Sequence, residues 1–79
     1  MKSVHTDAYK AVTRSLKGAR ERAGLTQQAL AERLGRPQSF VAKYERGERR
    51  LDVVEFLHIA EAIGANPVKL FSQVAKKKR

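Results

Sequence analysis

The chain contains no cysteine among its 79 residues. Disulfide bonds, thiolate metal sites and a cysteine nucleophile are therefore excluded, and the composition suits a reducing compartment. No apolar run approaches the ~20 residues that a membrane-spanning helix needs, and the N-terminal residues lack the apolar segment of a secretory signal peptide. We therefore expect a cytoplasmic protein that does not contact a membrane.

Groups that would support catalysis are also scarce. The two histidines, His5 and His58, are too few and too far apart to argue for a metal site or a general base. Asp52 and Glu55 have the spacing of a helix-capping box, which explains them without catalysis. The sequence has no phosphate-binding glycine loop and no nucleophile elbow. We predict that the chain is not an enzyme and requires no metal or other cofactor.

Positive charge is what the chain has in excess. Lysine and arginine together number 17 against 8 acidic residues, and the formal net charge is +9. Such a domain suits a polyanion, because the attraction is long-range and binding releases counterions. With 42% hydrophobic and 32% charged residues, the composition is that of one small, highly solvated domain.

Apolar residues that recur every three or four positions predict five helices and no strand, hence an all-α domain. Capping residues and glycines give the boundaries. The predicted helices start at Thr6 or Asp7, after Thr26, at Pro37, after Asp52 and at about Pro67, and they end at Gly24, Gly35, Gly47, Gly64 and between Phe71 and Val74. Arg36 is predicted to cap the third helix, and Val53 to join the apolar face of the fourth. Residues 1–6 are then a flexible N-terminal arm, 7–74 the folded domain and 75–79 a basic C-terminal tail.

Four motifs have a characteristic order and spacing. They are Leu16-x-x-x-Arg20, Gly24-Leu25-Thr26-Gln27-x-x-Leu30-Ala31, Val41-x-x-Tyr44-Glu45-x-Gly47 and Pro67-x-x-Leu70-Phe71. In these residues the chain resembles the lambda-repressor-like (XRE) family of helix-turn-helix DNA-binding regulators. The resemblance implies a compact five-helix lambda-repressor-like domain whose second and third helices form the helix-turn-helix, with the third in the major groove. It also implies a sequence-specific transcriptional regulator of double-stranded DNA, a repressor at an inverted-repeat operator, in the cytoplasm at the nucleoid.

The resemblance places base contacts on the outward face of the third helix. Gln38, Ser39 and Lys43 match the family's positions for them, and their chemistry is suitable. Glutamine pairs with adenine, lysine donates to guanine, and serine accepts several bases. Phe40 has two interpretations: contact with a thymine methyl or sugar, or packing against the second helix. Pro37 departs from the family pattern, which usually has a serine or threonine cap there.

Phosphate contacts are predicted around the same helix. The family places Gln27 against a phosphate, at a helix N-terminus that favours anions. Arginines cluster at both ends of the third helix and suggest further phosphate contacts; they are Arg36, Arg46, Arg49 and Arg50. The resemblance also pairs Arg20 with Glu45 as a structural ion pair, which we predict to be buried.

The C-terminal third has more apolar residues than one short helix buries. Because the family often dimerises through this region, we expect a homodimer whose reading helices lie ~34–36 Å apart on an inverted repeat. Three alternatives remain open: the antitoxin of a toxin–antitoxin pair, with a protein partner; a restriction-modification controller; and a sequence-indifferent nucleic-acid packager.

Overall fold

The computed structural model describes residues 6–78, and their side chains as far as residue 76. Five helices account for most of this range: α1 (Asp7–Arg22), α2 (Gln27–Leu34), α3 (Gln38–Glu45), α4 (Val53–Ile63) and α5 (Pro67–Lys78). Residues 6–78 contain no strand, so the predicted all-α fold is confirmed. Residues 1–5 of the predicted arm lie outside the described residues, and Thr6 caps α1.

The helices begin where the capping residues predict. The Thr6 hydroxyl accepts a hydrogen bond from the Tyr9 amide at 3.1 Å. Asp52 and Glu55 form the predicted capping box, with reciprocal bonds of 2.7 and 3.0 Å. Gly35 ends α2 at a φ of +68°, a left-handed conformation that disfavours any residue with a Cβ. The chain therefore turns from α2 into α3 within three residues.

Two helix boundaries and one core residue were predicted wrongly. Pro37 and not Arg36 is the N-cap of α3, because a proline φ of −67° also suits a cap residue and the helix starts one residue later. Helix α5 continues beyond Val74 to Lys78, since alanine and lysine favour helix and nothing there stops it. Residues 75–78 of the predicted tail are thus helical. Val53 is 83% exposed because it lies in the first turn of α4 and points away from the core.

Each of the five helices contributes buried side chains to one hydrophobic core. Its largest fully buried side chains are Leu16, Leu30, Val41, Tyr44 and Ile59. Helix α1 packs mainly on α5, and α2 packs on α3. A further bond joins the Tyr9 hydroxyl, as donor, to the Arg49 carbonyl at 2.6 Å. Val41 and Tyr44 bury the inner side of α3 in this core, and the other side of the helix faces solvent.

Candidate nucleic-acid interface

The outward face of α3 is polar and accessible. Gln38, Ser39 and Lys43 are all exposed, whereas Val41 and Tyr44 on the same helix are fully buried. The packing of α3 against the core therefore brings the three residues predicted for base contact onto one solvent-facing surface. We call Gln38, Ser39 and Lys43 the reading face.

A chain of hydrogen bonds connects the reading face to the interior. The Gln38 Nε2 donates to Gln27 Oε1 at 3.2 Å, and the Gln27 Nε2 donates to Glu45 Oε1 at 2.9 Å. Gln27 is half-buried at the start of α2. Its predicted phosphate-binding amide is therefore oriented by two other side chains.

The predicted ion pair between Arg20 and Glu45 is confirmed. Arg20 Nε lies 2.7 Å from Glu45 Oε2 and Nη2 lies 3.0 Å from Oε1, a bidentate geometry. The exposed fractions of the two side chains are 9% and 3%. The hydrogen bond to Glu45 raises the pKa of Arg20 above its usual value. Arg20 also donates to the Leu25 carbonyl at 2.7 Å, so one side chain joins α1, the start of α2 and the end of α3.

Of the two interpretations of Phe40, contact with DNA or packing against the second helix, its burial favours packing. The residue is only 7% exposed, and its ring meets that of Tyr44 edge to face at 5.5 Å between centroids. The guanidinium carbons of Arg36 and Arg49 lie over it at 4.2 and 4.9 Å. Phe40 is therefore unsuited to base contact, because too little of the residue reaches solvent.

The arginines predicted to bind phosphate lie around α3, and three of the four pair with carboxylates. Arg46 forms two bonds to Glu48, at 3.0 and 3.1 Å. Arg36 and Arg49 both bind Glu55, as shown by contacts of 3.3 and 3.0 Å. The remaining one, Arg50, lies exposed, with its guanidinium 5.2 Å from the Tyr9 ring centre.

Sequence reasoning missed Glu48 and Glu55 as partners of these arginines. The only local signal was the alternation of acids and arginines between residues 45 and 55. The hydrogen bond from Arg49, followed by that from the Asp52 backbone, lowers the pKa of Glu55 to about 2. The hydrogen bond from Arg46 lowers the pKa of Glu48. Both acids are therefore ionised at neutral pH and offset part of the local positive charge.

The described residues contain neither a candidate metal site nor a candidate membrane-spanning helix. Among residues whose positions are given, no cluster of three histidine, cysteine, aspartate or glutamate side chains could hold a metal ion. None of the helices in this part of the chain has the length and apolar character needed to cross a membrane.

Comparison with known proteins assigns the family. A family model described as a helix-turn-helix domain matches residues 11–70. The structure is similar to an XRE-family like protein from Pseudomonas syringae pv. tomato, with 47% identity and a TM-score of 0.89 over 99% of this chain and 95% of that one. It is also similar to the restriction-modification controller protein C.AhdI from Aeromonas hydrophila, with 31% identity and a TM-score of 0.74 over 82% and 98% of the two chains.

A more distant likeness extends only to the fold. The restriction-modification controller protein C.Esp1396I, solved as a tetramer with its natural 35-base-pair operator, has 22% identity and a TM-score of 0.83 over 91% of this chain and 95% of that one. No curated protein is significantly similar in sequence. The family match spans most of the chain and includes all of α2 and α3. The chain belongs to the XRE-type helix-turn-helix family of DNA-binding regulators.

Proposed function

We propose that this regulator binds a specific double-stranded DNA sequence and reads it in the major groove with α3. The observation that carries the proposal is the reading face: three polar side chains exposed on a helix whose opposite side is fully buried. A helix held in this way can enter a major groove without exposing apolar core. Charge supports the same partner, since the net charge is +9.

The reading face has the chemistry for base recognition. Gln38 uses one amide N–H for Gln27 and keeps its oxygen and its second N–H for the N6 and N7 edge of adenine. Lys43 lies about one and a half turns further along α3 and provides an ammonium for guanine O6 and N7. Ser39 adds a hydroxyl that donates or accepts. The predicted preference is therefore for mixed adenine and guanine contacts within one half-site.

Phosphate contacts complete the proposed complex. Arg36 precedes α3, whereas Arg46 and Arg50 follow it, and all three side chains are exposed. Arginines at both ends of a reading helix fit the two phosphate backbones that border the groove. The Gln27 amide lies at the N-terminus of α2, where the helix dipole favours an anion. Arg46 reaches a phosphate by exchanging its bond to Glu48, which is also exposed.

We also propose a homodimer formed through α4 and α5. Five large apolar side chains on these helices are exposed: Val53 at 83%, Val54 at 54%, Leu57 at 39%, Val68 at 76% and Phe71 at 58%. Phe71 lies edge to face with Phe56 at 6.3 Å, which joins the exposed side of α5 to α4. Two copies related by a two-fold axis would bury these patches together and present two reading faces to an inverted repeat.

Repression is the regulatory outcome that we propose. A dimer bound across ~34–36 Å of DNA occupies an operator and blocks access to a promoter that overlaps it. A second candidate is control of a restriction-modification system, which the 31% identity to C.AhdI favours. Neighbouring nuclease and methyltransferase genes would support that role, and unrelated neighbours would count against it.

Two substitutions separate base reading from phosphate binding. In Gln38→Ala, discrimination at one base-pair position of the site should fall by ~1–3 kcal/mol, while affinity for random DNA stays nearly constant. In Arg50→Ala, affinity should fall for all sequences alike and the salt slope should decrease by about 1. Titration of labelled duplexes at several salt concentrations measures both effects. If Gln38→Ala keeps the full base preference, the reading face is wrongly assigned.

A further inference from the structure

One carboxylate binds two arginines that flank α3. Glu55 lies in the first turn of α4 and accepts bonds from Arg49 Nη1 and Nη2, both at 3.0 Å. Its Oε2 also accepts from Arg36 Nη2 at 3.3 Å. Arg36 comes just before α3 and Arg49 a few residues after it. Glu55 therefore joins the two ends of the reading helix to α4.

The two arginines also contact the reading helix itself. Both guanidinium groups lie over the ring of Phe40, in the first turn of α3. That turn receives no side-chain cap, because its N-cap is Pro37. Contact with the positive guanidinium groups stabilises the ring by a cation–π interaction. The cluster of Arg36, Phe40, Arg49 and Glu55 thus anchors the uncapped end of α3 to α4.

Helix capping alone does not explain why the residue at position 55, beside the proposed DNA interface, is acidic. Near a DNA interface a carboxylate repels phosphate, and a glutamine at this position would complete the capping box without a charge. We propose that Glu55 is a positioning residue of the DNA interface: it holds Arg36 and Arg49 on Phe40 and so fixes the first turn of α3 and the direction of the phosphate-binding arginine. This inference rests on the DNA-binding function proposed above.

The hydrogen bonds assign different roles to the two arginines. Arg49 uses both terminal nitrogens for Glu55 and also donates to the Arg50 carbonyl at 2.8 Å. Within the described part of the chain, the Arg36 guanidinium is hydrogen-bonded only through Nη2. A guanidinium has five N–H donors, so Arg36 keeps most of its donors for phosphate. Arg49, first predicted to bind phosphate, is the anchor, and Arg36 is the residue that Glu55 directs toward DNA.

The test compares Glu55→Gln with Glu61→Gln. Glu61 is exposed on the same helix and forms no ion pair among residues 6–76, so the two variants change the charge equally. Glutamine also serves in a capping box, and circular dichroism verifies that α4 persists. Binding is measured to an operator duplex selected from a random pool and to a random-sequence duplex, over a range of salt concentrations.

The loss of a negative charge and the loss of arginine positioning have opposite effects on operator affinity. Removal of a negative charge should tighten binding of Glu61→Gln to both duplexes. Glu55→Gln should instead bind the operator roughly five-fold more weakly than Glu61→Gln in 0.15 M salt, which corresponds to one phosphate contact, with a salt slope lower by about 0.9. If Glu55→Gln binds the operator as tightly as Glu61→Gln, the positioning role is wrong.

Two further variants keep the test decisive. Phe40→Leu retains an apolar core residue but removes the ring on which the guanidinium groups lie, and it should weaken operator binding in the same direction even if Glu55→Gln unfolds. In an Arg36→Ala background, Glu55→Gln should cause no additional loss, and a full additional loss would contradict the proposal. A wild-type chain without sequence preference would refute the proposed function itself. A wild-type chain that prefers the operator, together with equal operator affinities of Glu55→Gln and Glu61→Gln, would refute only this inference.

Discussion

Replacement of Arg20 by methionine tests the interaction that joins three helices. The substitution keeps much of the buried length of the side chain but removes the bidentate partner of Glu45. The Glu45 side chain is only 3% exposed, and its remaining donor among the described residues is Gln27 Nε2, at 2.9 Å. The variant therefore leaves a nearly buried carboxylate with one neutral hydrogen bond.

The cost follows from the burial. Breaking a buried pair by removal of one partner costs ~3–5 kcal/mol. A chain of this size has a total stability of ~4–12 kcal/mol, so Arg20→Met should lose a large part of it and melt ~12 °C or more below the wild type. Adding Glu45→Leu removes the unpaired charge, and the double variant should recover most of the loss.

Urea unfolding followed by far-ultraviolet circular dichroism at pH 7 measures these free energies. Arg14→Met is the matched control, because Arg14 lies exposed on the same helix; its effect should be below ~0.5 kcal/mol. A stabilising role of the Arg20–Glu45 pair is refuted if Arg20→Met costs no more stability than Arg14→Met. An unpaired buried charge on Glu45 is refuted as the cause of the loss if the double variant is no more stable than Arg20→Met alone.

Two other predictions concern acid stability and assembly. Because the pKa of Glu55 is lowered from 4.5 to about 2 in the folded state, the unfolded chain binds more protons between these values. The contribution of Glu55 is therefore complete above about pH 4.5 and lost as pH falls toward 2, so Glu55→Gln should show a flatter decline of melting temperature over this window. Phe71→Ser should shift the dimer toward monomer in sedimentation velocity while Gln73→Ala, also exposed on α5, should not; equal behaviour of the two would remove Phe71 from the interface.

Local signals predicted most of the fold. Caps such as Thr26 and Asp52 act within three residues, and Gly35 ends α2 through its own φ. Sequence therefore suffices for these boundaries. The predicted start of α3 was one residue too early, because proline suits both the cap and the first helical position. The predicted end of α5 was too early, because the alanine and lysines that follow Val74 do not terminate a helix.

The candidate site was less predictable because its contacts are not local. The pairing of Arg20 with Glu45 was available from the family resemblance, and the structure confirms it. The contacts of Glu55 with Arg36 and Arg49 depend on how α4 packs beside α3, and the capping box already explained Glu55. Phe40 was ambiguous for the same reason, since only the tertiary structure determines whether its ring meets solvent or arginines.

The central claim is that α3 reads a specific sequence in an inverted repeat. Selection of bound sequences from a random double-stranded pool, at a defined salt concentration, tests it most directly. We predict enrichment of an inverted repeat whose half-sites are centred about one helical turn apart, ~34–36 Å along the DNA. Recovery of sequences with no common element, at undiminished total binding, would contradict the claim and indicate a sequence-indifferent DNA-binding protein.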